Sequence, residues 1–180
     1  MRKTFVIAFL FTLFTGLATA QVPTSGNVFF GYSFYSSNMS SIDRSNMNGW
    51  EATVEGKVLP FVGIIGDFSG TFGSENFPVV CPEPCAANFN VSEHNYLFGP
   101  RVGVSVGKFR PFAEGMIGVA HGNAQSYASD TSFASALGGG IDYRLIRIVA
   151  WRVQGDYVHT SLFGGHQNNF RLSTGIVIRF

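Results

Sequence analysis

The sequence predicts an all-β protein, an eight-stranded antiparallel up-and-down transmembrane β-barrel. Apolar residues make up 46%, aromatic residues 15% and charged residues only 13% of the chain, whereas a soluble domain typically carries about 25% charged residues. Beyond residue 20, no run of ~18 apolar residues could form a membrane-spanning helix. Short segments that alternate apolar and polar residues recur instead, and the chain is rich in Gly (22) and Phe (19).

The same composition excludes several other classes of protein. The aromatic content is too high for a disordered chain, and the net charge of +1 gives no indication of a nucleic-acid partner. Two cysteines are too few to build a disulfide-rich miniprotein. No cofactor is expected.

Residues 1–20 are predicted to be a cleaved signal peptide. A basic start is followed by a mostly apolar run over residues 4–17 and then by Ala18-Thr19-Ala20, the small-x-small pattern that precedes a cleavage site. Cleavage after Ala20 makes Gln21 the first residue of a single mature domain, 21–180. An uncleaved membrane anchor is the alternative, but the apolar run is short for a span.

Eight segments after residue 26 alternate with a period of two residues. Each is close to the ~9–11 residues that a tilted strand needs to cross a bilayer. The last segment is the clearest, because Phe170, Leu172 and Ile176 share one face while Arg171 and Ser173 lie on the other. The eight predicted strands lie near residues 27–36, 48–58, 61–72, 93–106, 110–120, 132–144, 149–157 and 170–180.

The connections between these segments alternate in length. Three are tight turns, and four are longer and rich in Ser, Asn, Gly and Asp. Outer-membrane barrels have short periplasmic turns and longer extracellular loops, so the long connections are predicted to lie outside the cell and both chain termini in the periplasm. The predicted turns are near 58–60, 107–110 and 144–147, and the predicted loops near 37–47, 72–92, 121–131 and 159–168.

Charged residues within the predicted strands share one face, which we interpret as the lumen. A charge on the lipid face costs ~2–4 kcal/mol for Arg or Lys near the midplane, and buried charges have to be paired. We expect a plug of salt bridges that fills a narrow lumen, with a gate or small ion path as the alternative. The six acids and six bases of this network are Glu51, Glu55, Lys57, Asp67, Arg101, Glu114, Asp142, Arg144, Arg152, Asp156, Arg171 and Arg179.

Alternation alone also fits a soluble lipocalin-like barrel, in which the apolar face lines a ligand cavity. Two features favour the membrane version. The charged face is rich in small residues such as Gly63 and Gly138, which a narrow lumen needs. The apolar face carries aromatic residues toward the strand ends, such as Trp50, Tyr96 and Phe170, as the interfacial girdles of membrane barrels do.

Several segments resemble the OmpA-like and opacity-type eight-stranded outer-membrane barrels. The similarity is clearest in Phe98-Gly-Pro-Arg101, Ala136-Leu-Gly-Gly-Gly-Ile-Asp142 and Gln154-Gly-Asp-Tyr157, and in a last strand that ends on the aromatic Phe180. The resemblance covers roughly residues 25–180, without the peptidoglycan-binding domain of full OmpA proteins. It implies a bacterial outer-membrane protein that contacts the membrane lipids. Periplasmic chaperones would deliver it to the barrel-assembly machinery, which reads Phe180.

The resemblance specifies fold and location better than activity. We expect a monomer with a structural or surface-interaction role, whose extracellular loops are the candidate site for a surface ligand. A small porin-like channel is the alternative that a partly open lumen would support.

Cys81-Pro-Glu-Pro-Cys85 lies in the longest predicted loop. In an exported protein these two cysteines are expected to form a small disulfide. A metal site is the alternative, because His94, His121, His159 and His166 fall near the same end of the predicted barrel. No spacing typical of metal ligands joins them, so no metal is expected.

One pair of residues suggests an enzyme. His159 and Ser161 are predicted on the same outward face near the end of strand seven, and the pair resembles that of lipid A deacylase barrels, where serine attacks an ester and histidine is its base. An acid to orient His159 is not evident, and Leu162-Phe163 lacks the asparagine of that family. We therefore expect no enzymatic activity, with lipid A hydrolysis as an alternative.

Overall fold

The computed structural model describes residues 25–37, 45–79, 85–124, 128–162 and 165–180, and for 75–79, 85–89 and 128 it gives the backbone alone. The predicted signal cleavage between Ala20 and Gln21 and the predicted disulfide between Cys81 and Cys85 lie outside the described residues, so both stay predictions. In the described part of the chain, no helix has the length and apolar character needed to cross a membrane.

Eight β-strands form one closed barrel, which confirms the predicted fold class. Each strand pairs antiparallel with the next, and β1 pairs with β8, from Asn27 opposite Arg179 to Ser36 opposite Phe170, to close the sheet. Closure pairs the backbone groups of both outermost strands, as a sheet in lipid requires. The strands are β1 (Gly26–Ser37), β2 (Ser45–Lys57), β3 (Val62–Val79), β4 (Cys85–Gly103), β5 (Phe109–Ala124), β6 (Ala128–Arg144), β7 (Val149–Thr160) and β8 (Gln167–Arg179).

The three short connections lie at one end of the barrel, which we call the turn end, and the opposite end is the loop end. The turn between β4 and β5 closes around two residues. Val106 and Phe109 exchange two backbone hydrogen bonds of 2.8 and 3.0 Å, and Gly107 between them has a φ of 63°. Two-residue hairpins need a positive φ at this position, and glycine adopts it without a steric penalty.

The β3–β4 connection differs from the sequence prediction. The pattern predicts a loop near 72–92, but the ladder continues for seven residue pairs, from Gly73 opposite Val91 to Val79 opposite Cys85. Pairing with β2 stops at Phe72, and pairing with β5 stops at Val91. Residues 74–79 and 85–90 therefore form a two-stranded ribbon beyond the barrel wall. A ribbon beyond the wall has no lipid-facing side and no lumen-facing side. Its sequence therefore does not need to alternate between apolar and polar residues.

The two faces of the wall carry opposite chemistry. Glu51 and Glu55 of β2 are completely buried, whereas Trp50 and Val54 on the other face are 38% and 48% exposed. The last strand repeats the pattern, with Arg171 buried beside an exposed Leu172. The charged face thus lines the lumen and the apolar face covers the outside.

Aromatic side chains form a belt near each end of the outer face. Aliphatic residues such as Ile117 and Leu137 lie between the two belts, together with the aromatic residues Phe30, Phe68 and Phe98. Outer-membrane barrels place aromatic residues at both lipid–water interfaces in this way. The belt at the loop end contains Tyr32, Trp50, Phe72, Tyr96, Phe133, Tyr157 and Phe170, and the belt at the turn end contains Phe61, Phe109, Trp151 and Phe180.

Leu137, 71% exposed on the outer face of β6, tests the assignment of this face to lipid. Leu137→Arg should lower the free energy of unfolding by about 2–4 kcal/mol, because it places a charge near the bilayer midplane. Ile146→Arg, on an exposed turn, is the matched control and should cost less than about 1 kcal/mol. Urea titration of the refolded barrel in lipid vesicles, followed by tryptophan fluorescence, measures both. Equal losses would contradict the assignment.

Candidate functional site: a charged lumen and its two rims

Three arginines fill the half of the lumen nearer the turn end. Arg101 donates to Glu55 over 3.2 Å, and Arg110 donates to the same carboxylate through both terminal nitrogens. Arg152 donates to Asp142 over 2.7 and 3.2 Å. Arg101 also donates to Glu114, so three bases meet three acids. We call this group the turn-side cluster, and it consists of Arg101, Arg110, Arg152, Glu55, Glu114 and Asp142.

Aromatic rings separate the guanidinium groups of this cluster. The ring of Phe112 lies 4.4 Å from Cζ of Arg101 and 4.7 Å from Cζ of Arg152. Phe29 lies 5.1 Å from Cζ of Arg152. Desolvated cation–π contacts of this kind contribute up to about 2 kcal/mol each. They also hold apart two cations that would otherwise repel each other.

A second group, the loop-side cluster, has one base and three acids. Arg171 contacts Asp67 and Asp156 at 2.9 Å each and Glu51 at 3.3 Å. The Glu51 carboxylate also accepts hydrogen bonds from Gln154 and Ser173. Arg171 is therefore the hub of this half of the lumen.

Tyr35 and Glu93 extend the network toward the loop end. The Tyr35 hydroxyl donates to Oε1 of Glu93 over 2.7 Å and accepts from Nδ2 of Asn169 over 2.8 Å. Asn95 donates to the same Glu93 oxygen over 3.1 Å. All four side chains are buried, so hydrogen bonds continue the filling of the lumen where the ion pairs stop.

Glycines in the wall make room for these carboxylates. A Cβ atom at Gly138 would lie 2.0 Å from Oδ1 of Asp156, and a Cβ atom at Gly63 would lie 2.9 Å from Cγ of Glu55. The small residues noticed in the sequence thus lie beside large charged side chains.

The structure places most of the twelve predicted network residues in the lumen. Nine are at most 3% exposed: Glu51, Glu55, Asp67, Arg101, Glu114, Asp142, Arg152, Asp156 and Arg171. The side chain of Arg179 is 23% exposed and lies 3.5 Å from Asp142. Lys57 is partly buried at the turn end.

The placement of Arg144 in the lumen is wrong. Its side chain is exposed and donates to the carbonyl oxygen of Gly107, 3.0 Å away. Arg144 is the last residue of β6, so it lies at the end of the wall, where strand parity no longer determines the surroundings of a side chain.

Sequence reasoning missed two charged lumen residues, Arg110 and Glu93. It assigned Arg110 to a turn and Glu93 to a strand end, but β5 begins at Phe109 and β4 at Cys85. Both residues have the strand parity of a lumen-facing position. Arg110 precedes Glu114 by four residues, and Glu93 precedes Arg101 by eight. Accurate strand ends would have assigned both to the lumen.

The candidate catalytic pair at the loop end is arranged differently from the prediction. Oγ of Ser161 lies 3.3 Å from Nδ1 of His166, and Nδ1 of His159 lies 2.8 Å from Oδ1 of Asn168. The rings of His159 and His166 stack with their centroids 5.8 Å apart. The histidine that contacts Ser161 is therefore His166, not His159. Within the described residues, no group of three His, Cys, Asp or Glu side chains could hold a metal ion.

The family is decided by a match over almost the whole chain. Residues 6–180 match the model of the outer membrane protein beta-barrel domain. The chain belongs to this family. As an outer membrane protein beta-barrel domain it lies in the bacterial outer membrane, embedded in the membrane lipid, which confirms the predicted location. The soluble lipocalin-like alternative is therefore wrong. No curated protein sequence matches the chain.

Solved structures of outer-membrane proteins share this fold. Ail, the attachment invasion locus protein of Yersinia pestis, has a TM-score of 0.60 and 16% identity, over 87% of this chain and 98% of that chain. Neisserial surface protein A has a TM-score of 0.67 and 9% identity, over 86% and 97%. OprG from Pseudomonas aeruginosa has a TM-score of 0.58 and 11% identity, over 88% and 97%. At such identities the likeness shows the fold alone.

Arg152→Glu tests whether ion pairs hold this outer membrane barrel together from inside. The change should lower the free energy of unfolding by about 3–5 kcal/mol, because Asp142 loses its shortest ion pair, 2.7 Å, and faces a second carboxylate. Adding Asp142→Arg should restore part of the loss. Arg147→Glu, on an exposed turn, should change it by less than about 0.5 kcal/mol. Urea unfolding of refolded protein gives all three values, and an unchanged midpoint for Arg152→Glu would refute this role.

Proposed function

We propose that this outer-membrane barrel acts by presenting its loop end to a partner at the cell surface, in a structural or interactive role. The ribbon is the observation that carries the proposal, because it extends six residue pairs past the point where the wall ends. Longer connections of outer-membrane barrels are extracellular, so the ribbon projects outward in this orientation. A barrel needs no such extension to cross the membrane.

The backbone of the ribbon supports binding by strand addition. Within the described residues, the outer edges of 73–79 and 85–89 form no ladder pair with β2 or β5, and a side chain of β2 reaches only the Ser74 carbonyl. Free N–H and C=O groups on such edges accept an extended segment of another chain as an additional strand. Ser45 fixes the base of the ribbon, because its hydroxyl donates to the carbonyl oxygen of Ser74 over 2.8 Å.

A cleft at the base of the ribbon offers a second point of contact. Its volume is about 450 Å³, and it is lined by Phe72, Gly73, Asn90, Val91, Ser92 and Asn123. Apolar groups and side-chain amides share this lining, so the cleft suits a mixed apolar and polar side chain of a protein partner.

The charge of the loop end favours a protein partner over a sulfated polysaccharide. Ail of Yersinia pestis has been solved in complex with the heparin analogue sucrose octasulfate. In the present chain the loop-end segments 38–44, 74–90, 123–130 and 161–167 contain one base, Arg44, and four acids, Asp43, Glu75, Glu83 and Asp130. The net charge of these segments is therefore −3. Because this end would repel a polyanion, we propose a neutral or basic protein surface as the partner.

The filled lumen supports a closed barrel in this proposal, and not a channel. Eight strands enclose a space that side chains can fill, and the turn-side and loop-side clusters occupy it with buried ion pairs. We also propose a non-enzymatic role, because Ser161 contacts an exposed histidine of the rim, His166, and the ring of His159 contacts an amide, Asn168, instead of an orienting carboxylate.

The aromatic residue after the last strand supports a proposed role in barrel assembly. Phe180 is 64% exposed directly after β8, a position that supports its recognition by the barrel-assembly machinery after delivery by periplasmic chaperones. We expect the assembled barrel to be a monomer.

Shortening the ribbon tests the surface role. Replacing residues 74–90 with Asn-Gly should leave the barrel folded but remove binding, because the hairpin then ends at the wall. Bacteria displaying either form are counted on surfaces coated with cytochrome c, which is basic, with serum albumin, or with heparin. We expect the full-length protein to retain cells on cytochrome c above all, and the shortened form to lose this retention.

The double substitution Gln125→Ala and Ser126→Ala, in the β5–β6 connection, is the control and should bind as the full-length protein does. Equal retention of cells by the full-length and shortened proteins would show that the ribbon is not the binding element. Stronger retention on heparin than on cytochrome c would contradict the assigned partner chemistry.

Planar-bilayer recording tests the closed lumen. The refolded protein should give no steady conductance steps, because the buried ion pairs leave no continuous water path. A large porin in the same bilayers serves as the positive control. Reproducible single-channel steps that disappear when the protein is omitted would favour the channel alternative.

A further inference from the structure

The turn end has a charge opposite to that of the loop end. Its three turns, residues 58–61, 104–108 and 145–148, contain two basic residues and no acidic residue. Three more bases lie where strands meet this end. Together the basic residues of the turn end are Lys57, Lys108, Arg144, Arg147 and Arg179.

The same turns expose large apolar side chains. Val58 and Leu59 are 64% and 59% exposed, and Leu145, Ile146 and Ile148 are more than half exposed. In water, such a set would form an unfavourable apolar patch. Aliphatic and basic residues side by side are typical instead of segments that lie in the headgroup boundary of a bilayer.

A small cavity opens between these turns and the end of the lumen. Its volume is about 80 Å³, and three cationic side chains converge on it. Ser105 and Asn27 add neutral polar groups, and Phe180 adds an aromatic wall. The cationic residues of the lining are Lys57, Arg110 and Arg179.

The neighbouring acids do not neutralise all of these cations or accept from all of their hydrogen-bond donors. Arg110 is bound to Glu55, but Arg179 reaches Asp142 only at 3.5 Å, and its Nε atom is buried with no hydrogen-bond partner among the described residues. Counted with the turn-side cluster, Lys57 and Arg179 make five bases against three acids, a side-chain charge of +2. Lys57 and Arg179 are partly buried, and a surplus of this sign beside a cavity favours an anion in it.

We propose that this cavity binds the phosphate of an anionic phospholipid. The cations supply charge and donors for the phosphate oxygens, and the exposed aliphatic residues of the turns suit the adjoining acyl region. Only the source of the lipid rests on the orientation proposed above. In that orientation the turn end faces the periplasm, so the lipid comes from the periplasmic leaflet. Phosphatidylglycerol carries the charge and the phosphate that the cavity requires, whereas zwitterionic phosphatidylcholine lacks the net charge.

Native mass spectrometry of the refolded, detergent-released protein tests the site. Titration with phosphatidylglycerol should give a one-to-one adduct at lower concentration than titration with phosphatidylcholine. Lys57→Gln should weaken this adduct about fivefold, the effect of one basic charge beside an anionic lipid surface, and Lys57→Arg should preserve it. Lys108→Gln is the matched control, because it removes the same charge from a turn residue outside the cavity lining.

Three outcomes would overturn the proposal. Equal binding of the two lipids would remove the anionic preference, and equal losses for Lys57→Gln and Lys108→Gln would replace a site with a diffuse attraction. Displacement of the lipid by inorganic phosphate alone would make free phosphate the ligand. Unheated gel migration identical to wild type shows that each variant is folded. The ribbon-shortened barrel should keep the adduct, so failure at the loop end and failure at this site can be told apart.

Discussion

Closure of the sheet in lipid is the constraint on which the rest of this structure depends. Hydrocarbon offers no partner to backbone N–H and C=O groups, so each wall strand must pair on both sides. The pairing of β1 with β8 completes this, and closing only eight strands leaves a narrow interior. The side chains that the strand period turns inward must then share that small volume.

The interior is consequently a polar core. It contains large charged side chains because the outer face can hold none, and it contains glycines because those side chains need room. The contacts cross the barrel: Arg171 of β8 binds Asp67 of β3, and Arg110 of β5 binds Glu55 of β2. Buried ion pairs of this kind add little net stability over an apolar filling, but losing one partner is costly. They tie opposite walls together and so resist opening.

Outside the wall the two ends are free of this constraint, and they differ. The loop end carries an acidic set of segments and a ribbon with unpaired edges, whereas the turn end carries bases and exposed aliphatic residues. The lumen follows the same polarity, since one arginine meets three acids on the loop side and three arginines meet three acids on the turn side. Each end therefore suits a neighbour of different chemistry, one in water and one at the membrane surface.

The alternation of the sequence by itself determined the class of fold and the number and order of strands. The small residues of the charged face and the aromatic residues of the apolar face indicated which face meets lipid. The sequence could do so because the contrast between hydrocarbon and a polar lumen acts on every residue of the wall. The prediction failed where that contrast ends: the ribbon was taken for a loop, Arg144 was placed inside, and Arg110 and Glu93 were left out.

Only the tertiary structure decided which partners meet. Arg101 and Glu55 lie 46 residues apart in the sequence, and Arg171 and Asp67 lie 104 apart, so no local spacing could pair them. The same holds for Phe112 between two guanidinium groups and for Ser161 beside His166. A one-dimensional period determines which face a side chain takes, whereas its neighbours across the lumen depend on the register and curvature of the closed barrel.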